Sequence, residues 1–347
     1  MNNNKQEKYR DPFRAILTGI TDLFRKQEPV GMLKETDRLD GKTVVVDGAS
    51  SGLGFAVAKE VAARGARTVM LCRSGIPEKG EEVKQLTGNT DVHMLKVDFR
   101  DVTSLQEVVS EIRERFSPVD VLICNAGVVP SRSRKTPQGL EEMFMVNYFS
   151  KYWYVTSLIG NGSFGPSVLC QDQESDRDRE PVKVPARDHS IPRIIFVSSE
   201  SHRNPKAINW DDFGKYSSYG IKQSMEHYGH NKLLLTTFAV ELSRRLNPDG
   251  RTGFSVFALC PGPVNSNIAR ESPKIFQPLL KLIFRLFFRS PKDAAAPVLY
   301  FSASGDVEGK SFDYLFLMNR KDVDTKAMDP FNGEKLWELS QALKKKL

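Results

Sequence analysis

The sequence predicts an α/β fold in which a doubly wound parallel sheet carries helices on both faces, in a single domain from residue 41 to residue 347. From Gly41 onwards, short apolar runs rich in β-branched residues alternate with amphipathic segments. Such alternation is typical of parallel strands that are buried on both faces and joined by helices. The chain has 347 residues, of which 40% are hydrophobic and 27% charged, so a soluble protein with a large core is expected.

The predicted strands and helices alternate along the chain. The strands are Thr43–Asp47, Arg67–Leu71, Val92–Val97, Val119–Cys124, Arg193–Val197 and Gly253–Leu259. The helices include Gly52–Arg64, Val102–Phe116, Gly139–Leu158 and Ser224–Leu246. Residues 160–191 break the pattern with a polar stretch that we interpret as a surface insertion. Ligands of such sheets bind beyond the carboxyl ends of the strands.

An amphipathic extension, residues 1–40, precedes the domain. Its apolar side chains between residues 13 and 24 share one helical face: Phe13, Ile16, Leu17, Ile20, Leu23 and Phe24. Such a helix would pack on the domain, on the second subunit of a homodimer, or on a membrane surface. We find no apolar run of about 18 residues and no secretory signal, so we expect a cytoplasmic protein, either free or peripheral to a membrane.

The net charge of +7 is moderate and is explained by a solvated basic surface. Nucleic-acid binding is not expected because no basic run is interleaved with aromatic residues, whereas a preference for anionic ligands or lipid surfaces fits equally well. The cysteines show no CxxC motif and no histidine at ligand spacing; they are Cys72, Cys124, Cys170 and Cys260. We interpret them as buried free thiols and predict no metal site.

A glycine-rich loop follows the first strand and leads into a helix. Glycines allow the backbone to approach a ligand closely, and a helix N-terminus offers free N–H groups and positive dipole to a pyrophosphate. Between a strand and a helix, this loop predicts dinucleotide binding rather than a plain turn. The expected contacts are Gly48, Ser50, Ser51, Gly52, Leu53 and Gly54.

Two charged residues at strand ends bear on the choice of dinucleotide. An NAD-specific fold usually presents an acidic residue after the second strand, where this chain has Arg73. An arginine there suits a 2′-phosphate, so we expect NADP(H) rather than NAD(H); an ordinary surface arginine is the alternative. Asp98 ends the third strand, where it would bond the adenine amino group or cap the next helix.

Tyr228 and Lys232 lie four residues apart in the predicted helix over 224–246 and therefore share one helix face. A phenol with a pKa near 10 is a poor acid or base at neutral pH, and a nearby cation lowers that pKa. The pair could therefore move a proton to or from an alcohol or carbonyl oxygen.

Taken together, the motifs resemble those of short-chain dehydrogenases/reductases over about residues 41–347, and the segment SSESHRNPKAINWDDF resembles the retinol dehydrogenase-like branch. The matching positions, in family order, are the loop Gly48–Gly54, Asp98, Asn125–Ala126–Gly127, Asn147, Ser198–Ser199, Tyr228, Lys232 and Pro261–Gly262. The resemblance implies a Rossmann-type sheet and a dinucleotide cofactor.

The resemblance also implies roles for these residues. Tyr228 would be the general acid/base, Lys232 would hold the nicotinamide ribose and lower the Tyr228 pKa, and Ser199 would bond the substrate oxygen. Asn147 would anchor a water next to Lys232, or be a structural helix residue. The remaining cofactor contacts implied are Asn125, Ala126, Gly127, Pro261, Gly262, Val264 and Ser266. Two nearby histidines, His202 and His230, are interpreted as surface or hydrogen-bonded residues rather than catalytic ones.

The chain departs from the family pattern at two strand ends. Asp47 stands where the family usually has Thr or Ser, and Cys124 stands where it usually has Asn. An aspartate could still accept the local backbone hydrogen bonds. An uncompensated carboxylate would, however, repel a pyrophosphate and weaken cofactor binding.

The segment Pro273–Pro291 is strongly apolar, with Lys281, Arg285 and Arg289 along one stripe. The resemblance implies a substrate lid over about residues 266–291. The segment would be a core helix with a solvated face, or a hydrophobic substrate entrance that rests on an anionic membrane surface.

The expected function is an NADP(H)-dependent oxidoreductase that interconverts an alcohol and a carbonyl on an apolar substrate such as a retinoid, a steroid or a lipid-derived aldehyde or ketone. Reduction is the expected direction because cellular NADPH usually exceeds NADP⁺. The alternatives are a catalytically idle dinucleotide-binding regulator or scaffold at a membrane surface, and an enzyme that reduces carbon–carbon double bonds. The intact set of Asn147, Ser199, Tyr228 and Lys232 favours an enzyme.

Overall fold

The structure is a computed structural model, and it describes residues 30–165, 191–248, 250, 252–264 and 290–347. The predicted N-terminal amphipathic helix, Cys170 and almost all of the predicted insertion and lid lie outside the described residues. Among the helices of the described residues, none is long and apolar enough to cross a membrane.

The core of the domain is one sheet of eight strands in the order β3-β2-β1-β4-β5-β6-β7-β8. The strands are β1 (Thr43–Asp47), β2 (Arg67–Cys72), β3 (Val92–Lys96), β4 (Val121–Cys124), β5 (Arg193–Val197), β6 (Ser255–Cys260), β7 (Phe312–Phe316) and β8 (Asn319–Arg320). The first seven strands pair in parallel and β8 is antiparallel to β7. The order reverses between β1 and β4, the switch point beside which such sheets bind ligands.

Helices cover both faces of the sheet. They are α1 (Gly52–Ala63), α2 (Glu78–Thr87), α3 (Val102–Phe116), α4 (Glu142–Phe144), α5 (Ser150–Gly160), α6 (Ile221–Leu246), α7 (Pro291–Ala303), α8 (Thr325–Met328) and α9 (Pro330–Lys346). The core on one face includes side chains of α3, α5 and α6. The core on the other face includes side chains of α1, α2 and α7. The predicted α/β architecture with helices on both faces is confirmed.

Several boundaries differ from those predicted. Of the predicted helix over 139–158, the first residues are not helical, and Met145–Phe149 form a π-helix between α4 and α5. Strand β4 begins two residues late because Val119 instead forms an isolated bridge to Phe164. Since Phe164 is fully buried, the chain just after α5 belongs to the core, and residues 161–164 are not part of a surface insertion. Cys72, Cys124 and Cys260 are buried free thiols, as predicted.

Candidate active site

The residues predicted to carry the chemistry meet at the carboxyl edge of the sheet. Strands β1, β4, β5 and β6 are neighbours, so the segments that follow them lie side by side. These segments begin with Gly48, Asn125, Ser198 and Pro261. Helix α6 crosses the same edge and carries Tyr228 and Lys232.

The glycine-rich loop packs tightly against the loop that follows β4. A Cβ atom on Gly54 would lie 2.3 Å from the Gly48 carbonyl oxygen and 2.6 Å from Asn125 Nδ2, so only glycine fits there. Ser51 occupies the N-cap position of α1 but makes no side-chain capping bond. The first N–H groups of α1 are therefore uncapped by that side chain and suit a pyrophosphate. The cradle fits the dinucleotide that the sequence predicts.

Asp47, the departure at the end of β1, is fully buried and well compensated. Its Oδ1 accepts hydrogen bonds from the backbone N–H groups of Asn125, at 2.5 Å, and of Ala126. Its Oδ2 accepts the Tyr154 hydroxyl at 2.8 Å and lies 3.1 Å from the Lys151 ammonium. The expected backbone bonds are thus present, and the charge that would repel a pyrophosphate has a buried counter-ion.

The two charged residues expected near the adenosine differ in their surroundings. Arg73 is exposed immediately after β2, free to reach a ligand at that edge. Asp98 is ion-paired with Arg100, whose Nη2 donates at 2.6 Å. Burial would raise the pKa of Asp98, but the hydrogen bonds and charge of Arg100, helped by Arg73, lower it overall. Asp98 does not cap α3, since that N-cap is Asp101.

Tyr228, Ser199 and Lys232 come together between α6 and β5. Helix α6 approaches the turn after β5 closely, because a Cβ on Gly229 would lie 2.9 Å from the Ser201 carbonyl oxygen. Lys232 Nζ donates to the Val197 carbonyl oxygen at 2.7 Å and lies 5.7 Å from the centre of the Tyr228 ring.

The protonation of this pair is set mainly by burial. Burial raises the pKa of Tyr228 above its usual 10, the Cys260 thiol adds to this, and a hydrogen bond with Ser199 opposes it. The shift is therefore upward, opposite to the lowering expected from Lys232, because desolvation of the phenol dominates. Burial and the charge of Lys151 lower the pKa of Lys232 to about 8, so this lysine is still mostly protonated at pH 7.

Asn147 lies in the π-helix, fully buried beneath the loop that follows β4. Its Oδ1 accepts from the Val128 N–H at 2.8 Å and its Nδ2 donates to the Val128 carbonyl oxygen at 2.9 Å. A Cβ on Gly127 would lie 3.4 Å from Asn147 Oδ1 and 3.9 Å from Lys232 Nζ. The side-chain amide thus has the structural role that the sequence left open, because both of its polar atoms bond the backbone of Val128. π-helical turns occur frequently at functional sites.

The nearby histidines are hydrogen-bonded, as predicted. His202 Nδ1 lies 2.6 Å from the Ser199 carbonyl oxygen, and its Nε2 lies 3.2 Å from the Asp324 backbone nitrogen. His230 Nε2 accepts from the backbone N–H of Asn209 at 3.1 Å. Burial lowers the pKa of His202 and of His230 to about 4, so both are neutral at pH 7.

The end of β6 completes the edge. Pro261 is buried, Gly262 and Val264 are partly exposed beside it, and Ser266 lies outside the described residues.

Sequence reasoning missed Lys151, which the structure pairs with Asp47. The available signal was its place four residues after Asn147, on the same helical side, together with a buried acid that needed a cation. No cluster of three or more metal-ligating side chains occurs among the described residues.

Comparisons with known proteins agree with this geometry. Residues 42–161 match the short chain dehydrogenase family. Retinol dehydrogenase 14 of Mus musculus is 31% identical over 319 residues, covering 88% of this chain and 86% of that protein. Retinol dehydrogenase 12 of Mus musculus is 30% identical over 332 residues, covering 94% of both chains. An uncharacterized protein from Mycobacterium Paratuberculosis matches with a TM-score of 0.63 and 25% identity, over 91% of this chain and 98% of that one.

Proposed function

The chain belongs to the short-chain dehydrogenase/reductase family, in its retinol dehydrogenase-like branch, and from that premise we propose that it is an NADP(H)-dependent oxidoreductase that interconverts an alcohol and a carbonyl on an apolar substrate. The observation that carries the proposal is the meeting of the Tyr228 phenol, the Ser199 hydroxyl and the Lys232 ammonium at the carboxyl edge of the sheet, beside the cradle between β1 and β4.

The dinucleotide would be held by the uncapped start of α1, the loops after β1 and β4 and the turn after β6. Arg73 is the residue that would select NADP(H), because its exposed guanidinium suits the 2′-phosphate. Asp98, tied to Arg100, would face the adenosine from the neighbouring strand end. When bound, the nicotinamide supplies or accepts the hydride.

The chain's own residues would handle the proton and the orientation. Ser199 would donate a hydrogen bond to the substrate oxygen, and Tyr228 would deliver the proton to that oxygen during reduction or remove it during oxidation. Lys232, anchored on the Val197 carbonyl oxygen, places a positive charge beside the phenol. That charge would stabilise the phenolate left after the proton has moved.

Reduction is the direction we propose, because cellular NADPH usually exceeds NADP⁺, and the protonation state of Tyr228 is compatible with it. Since the pKa of Tyr228 is raised, the phenol carries its proton at neutral pH and is ready to donate it. An apolar substrate is favoured by Ile221 and Met225, which precede Tyr228 on α6 at helical spacing and share its face. Both side chains are exposed, Ile221 by 60% and Met225 by 41%, so an apolar ligand that reaches Tyr228 would contact them.

The test of the mechanism is Tyr228→Phe. This variant removes the proton-carrying oxygen and keeps the ring, so we expect turnover of apolar aldehydes and ketones to fall at least about a hundredfold, as removal of a general acid does, while NADPH binding stays within about twofold of the wild type. Tyr300→Phe, which removes the phenolic oxygen of a buried tyrosine of α7 on the other face of the sheet, is the matched control and should keep its turnover. Full turnover by Tyr228→Phe would contradict the mechanism.

The test of the cofactor is Arg73→Asp, followed by fluorescence titration with NADPH and NADH. We expect the variant to lose most of its NADPH affinity, because a carboxylate would face the 2′-phosphate, and to bind NADH at least as well as before. Equal affinity of the wild type for the two cofactors, unchanged in the variant, would remove Arg73 from the site.

A further inference from the structure

A buried ion pair lies directly beneath the glycine-rich loop. The side chains of Asp47 and Lys151 are 0% and 1% exposed, and Lys151 Nζ lies 3.1 Å from Asp47 Oδ2. The same ammonium lies 4.0 Å from the centre of the Phe99 ring, a cation–π contact. Tyr154 donates to Asp47 Oδ2 at 2.8 Å, and its oxygen lies 2.9 Å from Cys124 Sγ.

The carboxylate of this pair ties together the two loops proposed to hold the dinucleotide. Asp47 is the last residue before the glycine-rich loop, and its Oδ1 accepts the N–H groups of Asn125 and Ala126 in the loop after β4. In return, Asn125 Nδ2 donates to the Asp47 carbonyl oxygen at 3.0 Å. The position of one loop relative to the other therefore depends on the hydrogen bonds that this carboxylate accepts.

A buried carboxylate without a counter-ion could not hold these two loops together next to a dinucleotide. Removal of one partner of a buried ion pair leaves an uncompensated charge and is strongly destabilising. A carboxylate beneath the loop would also repel a pyrophosphate bound at the N-terminus of α1. Lys151 meets both requirements, because its ammonium pairs with Asp47 Oδ2 and leaves Oδ1 to accept the N–H groups of the loop.

We propose that Lys151 is a positioning residue for the dinucleotide: through its ion pair with the buried carboxylate of Asp47 it holds the loops after β1 and β4 in register and cancels the negative charge beneath the pyrophosphate. The inference rests on the proposed function, since it assumes that a dinucleotide occupies this cradle. It assigns to a residue of α5, which does not touch the ligand, a share in the affinity for it.

The experiment is a fluorescence titration with NADPH of the wild type, Lys151→Met, Lys151→Arg and Lys344→Met, with the thermal midpoint measured in parallel. We expect Lys151→Met to raise the Kd for NADPH about tenfold or more, which corresponds to about 1.4 kcal/mol. Lys151→Arg keeps the charge and should stay within about threefold of the wild type. Lys344 donates to Trp153, Thr156 and Ser157 on the same helix, so Lys344→Met should alter stability and leave the Kd unchanged.

A double variant separates charge from packing. Asp47→Asn with Lys151→Met removes both charges and keeps an oxygen that can accept the two loop N–H groups, so it should bind NADPH better than Lys151→Met alone. This comparison also decides the matter if Lys151→Met does not fold, because the double variant should then fold and bind NADPH within about threefold of the wild type. An unchanged Kd for Lys151→Met, or a double variant that binds no better than the single one, would overturn the proposal. A wild type that binds neither NADPH nor NADH would instead refute the proposed function.

Discussion

Lys232→Met should abolish turnover and yet stabilise the protein. The Lys232 ammonium is buried, and burial together with the charge of Lys151 lowers its pKa from 10.5 to about 8. Each pKa unit corresponds to about 1.36 kcal/mol, so the buried charge destabilises the folded state by about 3 kcal/mol at pH 7. The variant loses the hydrogen bond to the Val197 carbonyl oxygen, worth about 1 kcal/mol. The expected net gain in unfolding free energy is therefore about 2 kcal/mol.

The predicted stabilisation depends on pH. Between about pH 8 and pH 10.5 the unfolded wild type binds a proton at Lys232 that the folded protein has released, so wild-type stability rises with pH in that window. The advantage of Lys232→Met should be complete below about pH 8 and fade as the pH approaches 10.5. Urea denaturation at pH 7 and pH 10 measures the difference between the two proteins.

Two results would refute this reasoning. One is a Lys232→Met protein that is less stable than the wild type at pH 7, and the other is a gain that does not change between pH 7 and pH 10. Lys344→Met is the matched control, because burial also lowers the pKa of Lys344 to about 8. Lys344 donates to three oxygen atoms of α5, so its loss should give a smaller gain and normal turnover.

Two further predictions concern the frame of the site. Gly54→Ala should abolish NADPH binding and lower stability, because the new Cβ would lie 2.3 Å from the Gly48 carbonyl oxygen. Gly305→Ala is the control and should change neither, because no heavy atom lies within 4 Å of its Cβ. A Gly54→Ala protein with the Kd of the wild type would contradict the tight packing of the loop. His202→Gln should reduce the loss of stability on acidification. The pKa of the buried imidazole is lowered to about 4, so the contribution of His202 to the free energy of unfolding is complete above about pH 6.5 and is lost as the pH falls towards 4. Parallel slopes of unfolding free energy against pH for the variant and the wild type would refute that assignment.

Much of the sheet was predictable because its strands are buried on both faces and therefore appear as continuous apolar runs. Strand β7 escaped prediction because Asp313 interrupts its short run. In the structure Asp313 is neutralised by Arg320 of the neighbouring strand at 2.8 Å, a pairing that no local pattern reveals. The π-helix at Asn147 was likewise beyond reach, since the apolar spacing of such a short turn matches that of an α-helix.

Some features of the candidate site could likewise be predicted from the sequence, and others could not. The Tyr228 and Lys232 pair was predictable because residues four apart on a helix meet by geometry alone. The Lys151 and Asp47 pair has only a weak signal in the sequence, because it joins α5 to the end of β1 and these segments are far apart along the chain. The lowering of the Tyr228 pKa that the sequence predicted was wrong, since the sequence shows the neighbouring cation but not the desolvation of the phenol, which raises the pKa.

The most direct test of the account is a deuterium-transfer measurement. NADPH deuterated at nicotinamide C4, in both stereochemical forms, would be incubated with the protein and a panel of retinoid, steroid and long-chain aliphatic aldehydes or ketones, and the alcohols analysed by mass spectrometry. We predict that one deuterium appears on the carbinol carbon of at least one product with the wild type, and that this label is almost lost with Tyr228→Phe. Tight binding of NADPH without label in any product, or equal labelling by the two proteins, would contradict it.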